Sequence, residues 1–176
     1  MILKGFLISG VALLALAAYV FAKTPKIVTV TRSQVVKASA DSLFPYINNP
    51  HRIQEWDPFT TSDPEARLDY GGPPQGVGAQ WSWNGTKAGI GQATIIESIQ
   101  NERVTLRLDF KKPFHVTNKG EYSLNSRGAT TEVIWTVYES ALIPRTISVF
   151  ISLDKFVGPE FEKGLLKLKS LAEAKN

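Results

Sequence analysis

The stretch VTLRLDF, Val104 to Phe110, alternates apolar and polar residues without a break. In an extended chain successive side chains point to opposite faces, so Val104, Leu106, Leu108 and Phe110 share one side and Thr105, Arg107 and Asp109 the other. This is the pattern of a strand with one face on a core and one in water, as antiparallel sheets allow. Two questions then decide the fold: how many strands accompany this one, and what covers their apolar face.

Further strands lie on both sides, separated by turn residues. Arg67–Tyr70, Val77–Asn84 and Gly89–Ile99 precede the Arg103–Phe110 strand; Phe114–Asn125 follows it, and Thr130–Tyr138 comes after the turn Ser126-Arg127-Gly128. The β-branched segment Ile27–Ala38 is a first strand. After it, Ala40-Asp41-Ser42 offers an N-cap, and Leu43, Phe44, Tyr46 and Ile47 form a short amphipathic helix. Asn48-Asn49-Pro50 stops that helix, and HRIQEW adds one or two turns before Asp57-Pro58 ends them.

The cover is C-terminal. In VGPEFEKGLLKLKSLAEA the residues Val157, Phe161, Leu165, Leu168 and Ala172 recur at three- or four-residue spacing, with Lys163, Lys167 and Lys169 elsewhere. Pro159 suits a first turn, so the helix either starts near Gly158 or runs from about Arg145 and kinks at the proline. The expected fold is α+β: an antiparallel sheet of six to seven strands with a long C-terminal helix across its apolar face, and two short helices after strand one.

Ahead of this domain, Gly5 to Ala22 is an uncharged run of 18 residues, within the range of about 17–25 that crosses a bilayer as a helix. It reads as an uncleaved transmembrane anchor. A cleaved signal peptide ending at Val20-Phe21-Ala22 is the competing reading, against which the run is longer than a typical signal core. Lysines lie on both sides of it, so the membrane face of the domain is not decided. The expected division is residues 1–26 as anchor and linker and 27–176 as one ligand-binding domain.

Composition excludes several classes. There is no cysteine, hence no disulfide, thiolate nucleophile or Cys-based zinc site. His51 and His115 are too far apart for a metal-ligand motif, and no metal or cofactor is expected. The net charge of +4 owes most of its excess to Lys4, Lys23 and Lys26; beyond them 17 basic residues face 16 acidic ones, which gives no footprint for nucleic acid.

Three segments, in this order, resemble the helix-grip proteins of the SRPBCC superfamily, which includes START domains and polyketide cyclase/dehydrase-type proteins. ADSLFPYINNPHRIQEWDPF is similar to that family's segment after strand one. GPPQGVGAQWSWNG, Gly72 to Gly85, is similar to its Gly-x-Gly-x-x-aromatic strand, and GPEFEKGLLKLKSLAEA resembles the last helix of its poorly characterised, membrane-associated members. The departure is Asp57, where a small residue such as serine is expected. The resemblance implies a curved sheet wrapped around the last helix, with a deep, mostly apolar cavity between them; it does not imply a reaction, which has to be argued from the site.

In NNPHRIQEWDPF, His51, Glu55 and Asp57 have the makings of a general acid and base. His51, following Asn49-Pro50 at the start of a short surface helix, is more simply a solvated or capping residue, and Glu55, four residues on, gives it a local contact. Trp56 is expected at the cavity rim or in the core. Trp81 and Trp83 share a strand face, as do Trp135 with Val133 and Val137, and Tyr122 with Leu124. With Phe110, Phe161, Leu165 and Leu168 these aromatic positions are the candidate ligand-binding residues, serving either as core or as cavity wall. Glu97 faces Leu106 if Asn101-Glu102 is a two-residue hairpin, and faces solvent if the loop is odd or bulged.

The leading expectation is a single-pass, membrane-anchored binding protein for an apolar small molecule or lipid. A cofactor-free cyclase or dehydrase using Glu97, or Glu121 with Tyr122, is the second; an interaction module with a filled cavity is the third. An inward carboxylate beside a void favours the enzyme, an apolar void the carrier, and no void the module.

Overall fold

The computed structural model describes residues 19, 27–112, 115–140 and 153–174. Seven strands form one antiparallel sheet: β1 Ile27–Val36, β2 Arg67–Gly71, β3 Gln80–Asn84, β4 Ile90–Ile99, β5 Arg103–Lys112, β6 Val116–Arg127 and β7 Thr130–Ser140. Their order is β1-β7-β6-β5-β4-β3-β2, a meander from β2 to β7 with β1 added beside β7. As the alternation in VTLRLDF requires, Val104 and Leu106 are buried and Arg107 is exposed. The strand expected at Val77–Asn84 begins only at Gln80. Gly72, Gly76 and Gly78 each take a positive φ, so residues 72–79 turn, and the Gly76 N–H donates to the Asn48 carbonyl at 3.0 Å.

Three short helices, one more than expected, follow β1: α1 Ala40–Asn48, α2 Pro50–Ile53 and α3 Pro58–Thr61. Asn49-Pro50 and Asp57-Pro58 are both starts. In each, the Asx side chain caps the new helix and proline fills its first position, where the missing N–H costs nothing. The last helix, α4 Leu153–Glu173, begins five residues before Gly158 and carries Pro159 inside it. The stretch from Arg145 to its start lies outside the described residues.

α4 packs along β1 and touches α1, α3 and β7. Phe161, Leu165, Leu168 and Ala172 are buried, as the spacing predicts. Arg32 on β1 clamps the helix through Asp154 at 2.7 Å and Glu162 at 2.6 Å, one on either side of Gly158. A Cβ at Gly164 would stand 3.0 Å from both Pro58 and Trp135, so glycine is what lets α4 lie this close to α3 and the sheet. Among the described residues no helix is long and apolar enough to cross a membrane; the run Gly5–Ala22 lies, Tyr19 apart, outside them.

Candidate ligand cavity

The sheet and α4 meet along β1 and diverge towards β3, leaving a cavity of about 350 Å³. Its aromatic wall follows from pairing on the concave face. Trp81 stands opposite Ala93 and Trp83 opposite Gly91, so each indole lies over a small residue of β4. A Cβ on Gly91 would come within 2.3 Å of the Trp83 ring, which is therefore seated in space that only glycine leaves. Trp83 donates its indole N–H to the Ala88 carbonyl at 3.1 Å and meets Phe110 edge-on, ring centres 5.6 Å apart.

The opposite wall is built around Trp135. Phe161 from α4 stacks on it at 3.9 Å, nearly parallel, and Phe59 from α3 approaches both rings edge-on at about 6 Å. Tyr122, its neighbour on β6, tilts against it at 5.5 Å. Trp56 lies behind this wall. It is fully buried, edge-on to Tyr122 and Trp135 at 5.3 Å each, and its indole N–H donates to the Tyr46 carbonyl at 2.9 Å.

Asp57, Thr60 and Tyr122 are the buried polar residues that line the interior among these rings. Asp57 is 8% exposed, and burial pushes its carboxyl up to about 6 against the modest relief of the Phe59 N–H at 3.2 Å, the Thr60 hydroxyl at 3.1 Å and the Thr60 N–H. No cation pairs with it among the described residues. Tyr122 is 3% exposed; burial first, and then the Asp57 charge, raise its phenol well above the ordinary value. Its hydroxyl makes no hydrogen bond among the described residues.

At the mouth, Asp63 accepts the Lys87 and Ala88 N–H groups at 2.7 and 2.9 Å and so fixes the 85–89 loop. These bonds, with that of Glu65, hold its carboxyl below the usual range. Lys87 itself is exposed there.

Of the residues expected at the site, Trp81, Trp83, Phe110, Tyr122, Trp135 and Phe161 are brought together around the cavity. Trp56, Leu165 and Leu168 are not on its surface; all three are buried in the packed core. Glu97 faces out. Gln100, Asn101 and Glu102 form a three-residue turn with Asn101 at φ 60°, which sets Glu97 opposite Thr105, and the bulge at Ile96 then restores Ile95 opposite Leu106. Glu97 accepts from Arg103 and Thr105, whose hydrogen bonds lower its carboxyl, and Glu121 pairs with Lys119 on the same outer face. Neither glutamate therefore has the inward placement that the enzyme reading gave it.

His51 is also outside, stacked on Tyr70 at 3.8 Å, and Glu55 pairs with Arg52 at 2.9 Å instead of with His51. The residue missed was Asp57. Its signal was present in the sequence as an acid where the resemblance expects a small residue, but its inward placement depends on Pro58 starting a new helix. Among the described residues no three His, Asp or Glu side chains cluster to hold a metal ion.

A meandering antiparallel sheet closed by a C-terminal helix over an aromatic-walled cavity defines a helix-grip protein of the SRPBCC type. The chain belongs to the family described as polyketide cyclase / dehydrase and lipid transport, whose model matches residues 28–173. Solved structures share the fold. A protein from Chromobacterium violaceum, 14% identical, matches with a TM-score of 0.62 over 82% of this chain and 96% of its own. One from Nitrosospira multiformis, 22% identical, gives 0.60 over 85% and 100%, and the Aha1 dimer from Colwellia psychrerythraea, 17% identical, gives 0.59 over 83% and 96%. No curated protein matches.

Proposed function

We propose that this protein binds an apolar small molecule or lipid between sheet and helix, and is held at a membrane by residues 5–22. The observation that carries the binding reading is the cavity itself, about 350 Å³ and walled by Trp81, Trp83, Trp135 and Phe161. Transfer of an apolar guest from water into such walls is favourable, and the volume lies within the range of small-molecule sites. The family's description includes lipid transport, in keeping with this reading. The same cavity favours binding over a module whose interior is filled by its own side chains.

Native mass spectrometry of the full chain tests the binding: a co-purifying apolar molecule, lost on Gly91→Trp, is expected. A ligand-free protein whose tryptophan emission fails to respond saturably to any polycyclic aromatic or fatty alcohol contradicts it. The anchor is tested separately. Protein released from membranes by alkaline carbonate, or carrying Lys23 as its N-terminus, contradicts it. The cyclase or dehydrase reading has one observation of its own, the Asp57–Tyr122 pair inside the cavity, a setting in which a carboxyl near neutrality can move a proton.

A further inference from the structure

We propose that Asp57 and Tyr122 select the guest, admitting apolar molecules that carry a hydroxyl group and rejecting those that carry a carboxylate. The inference rests on the binding reading above and names the chemical class of ligand. Both side chains line a mostly apolar cavity whose other polar lining is Thr60, Ser62 and Lys87, and both are more than nine-tenths buried.

What they offer is complementary. The Asp57 carboxylate accepts from the Phe59 N–H, from the Thr60 hydroxyl and, more weakly, from the Thr60 N–H; with about four lone-pair sites it keeps one for a guest. The Tyr122 hydroxyl, without a hydrogen bond among the described residues, has a proton to donate. One acceptor and one donor on the same wall match a single alcohol or phenol, which is donor and acceptor at once. A plain hydrocarbon leaves the Tyr122 hydroxyl and the remaining Asp57 lone pair without a partner, and such unmet groups are what give polar sites their discrimination.

A carboxylate could accept from Tyr122, but its charge would face that of Asp57, and among the described residues no buried cation stands between them. Lys87, the other charged side chain lining the cavity, is exposed at the mouth and screened by water.

The test is a calorimetric titration of the full chain with naphthalene, 2-naphthol and 2-naphthoate, which share one ring system, at about pH 8. The expected result is 2-naphthol binding about tenfold or more tighter than either of the others, as a hydrogen bond to a charged group is worth. Asp57→Asn, which keeps a helix-capping residue, is expected to bring 2-naphthoate level with naphthalene or above it. Tyr122→Phe, which keeps the ring contacts with Trp56 and Trp135, is expected to shrink the 2-naphthol preference. Naphthalene binding as tightly as 2-naphthol, or 2-naphthoate binding tightest and losing its advantage in Lys87→Met, overturns the selection while leaving the cavity reading intact. Failure of all three to bind overturns the cavity reading, and the selection with it.

Discussion

On the outer face of the sheet Glu97 sits against Arg103 and Thr105, Asp109 against Arg107 and Thr117, and Glu121 against Lys119. In the cavity Asp57 has the backbone N–H groups of Phe59 and Thr60 and the Thr60 hydroxyl, and no cation among the described residues. The outer carboxyls Glu97 and Asp109 are held below their ordinary values by these partners, whereas burial pushes Asp57 up. The same residue type thus reports two different things. Outside, acids are matched to cations and serve the solubility and register of the sheet. Inside, an acid is kept although its desolvation disfavours the fold, which is the kind of local cost found at functional sites.

The largest effect expected from this contrast comes from neighbouring residues of β7. Trp135 is 5% exposed and touches Trp56, Phe59, Tyr122 and Phe161, so Trp135→Ala should cost about 3–5 kcal/mol. Thr136, one position on, points to the other face and shares one hydrogen bond with Thr31 at 3.1 Å, so Thr136→Ala should cost about 1 kcal/mol. Urea unfolding of the full chain measures both. Similar costs for the two would mean that the inner wall is not packed as described.

Next comes Asp57→Asn. A carboxyl at 3.8 in the unfolded chain and about 6 in the native one binds its proton more readily when folded. Its contribution is therefore fully present at low pH and is lost as pH rises from about 4 to about 6. At about 1.36 kcal/mol per pH unit the loss is about 3 kcal/mol. Asparagine caps helices as well as aspartate does, so the variant should be more stable than the wild type at pH 7 by about 1–3 kcal/mol and should lack that portion of the pH dependence. A variant less stable at pH 7, with its slope between pH 4 and 6 unchanged, would show that the Asp57 carboxylate is well solvated.

The sheet, its strand count and the buried stripe of α4 were legible because they rest on periodicity: two in VTLRLDF, three to four in Phe161, Leu165, Leu168 and Ala172. The cavity's aromatic residues were legible as a face, but not as wall against core. Trp56 lies behind the wall and Trp135 in it because of where α3 and α4 approach, which depends on Gly164 and Pro58 and not on either tryptophan. Glu97 was undecidable because a single extra residue in the 100–102 turn inverts every side chain before it, and the bulge at Ile96 inverts those beyond it again. Asp57 was misjudged for a related reason. Asx-Pro both ends and begins helices, and only the capping geometry shows which.

A smaller effect should come from Gly91→Ala. The new Cβ meets the Trp83 ring at 2.3 Å, so the indole must move, and overpacking of this kind costs about 1–3 kcal/mol. Because Trp83 is a cavity wall, its emission spectrum should shift and guest affinity should fall in the same variant. A stability loss with an unchanged emission spectrum and unchanged affinity would place Trp83 away from the guest.

The smallest effect is expected on the outer face. Glu97→Gln removes the charge of a side chain 45% exposed whose partner, Arg103, is 41% exposed, and pairs of this kind contribute little in water. The amide keeps an oxygen for Thr105, which lies 2.9 Å from the carboxylate, so the cross-strand contact survives in altered form. What is lost is the attraction to the Arg103 guanidinium, and added salt already screens that in the wild type, the Debye length falling to about 3 Å at 1 M. The melting temperatures of Glu97→Gln and wild type should therefore differ slightly at low salt and converge at high salt, and calorimetric affinities for 2-naphthol should be the same at both. The prediction is informative because Glu97 would face the same side as Leu106 if the 100–102 turn had two residues. An affinity that falls in Glu97→Gln while Asp57→Asn leaves it alone would mean that the inward acid is Glu97, and that the register of β4 against β5 differs from the one described here.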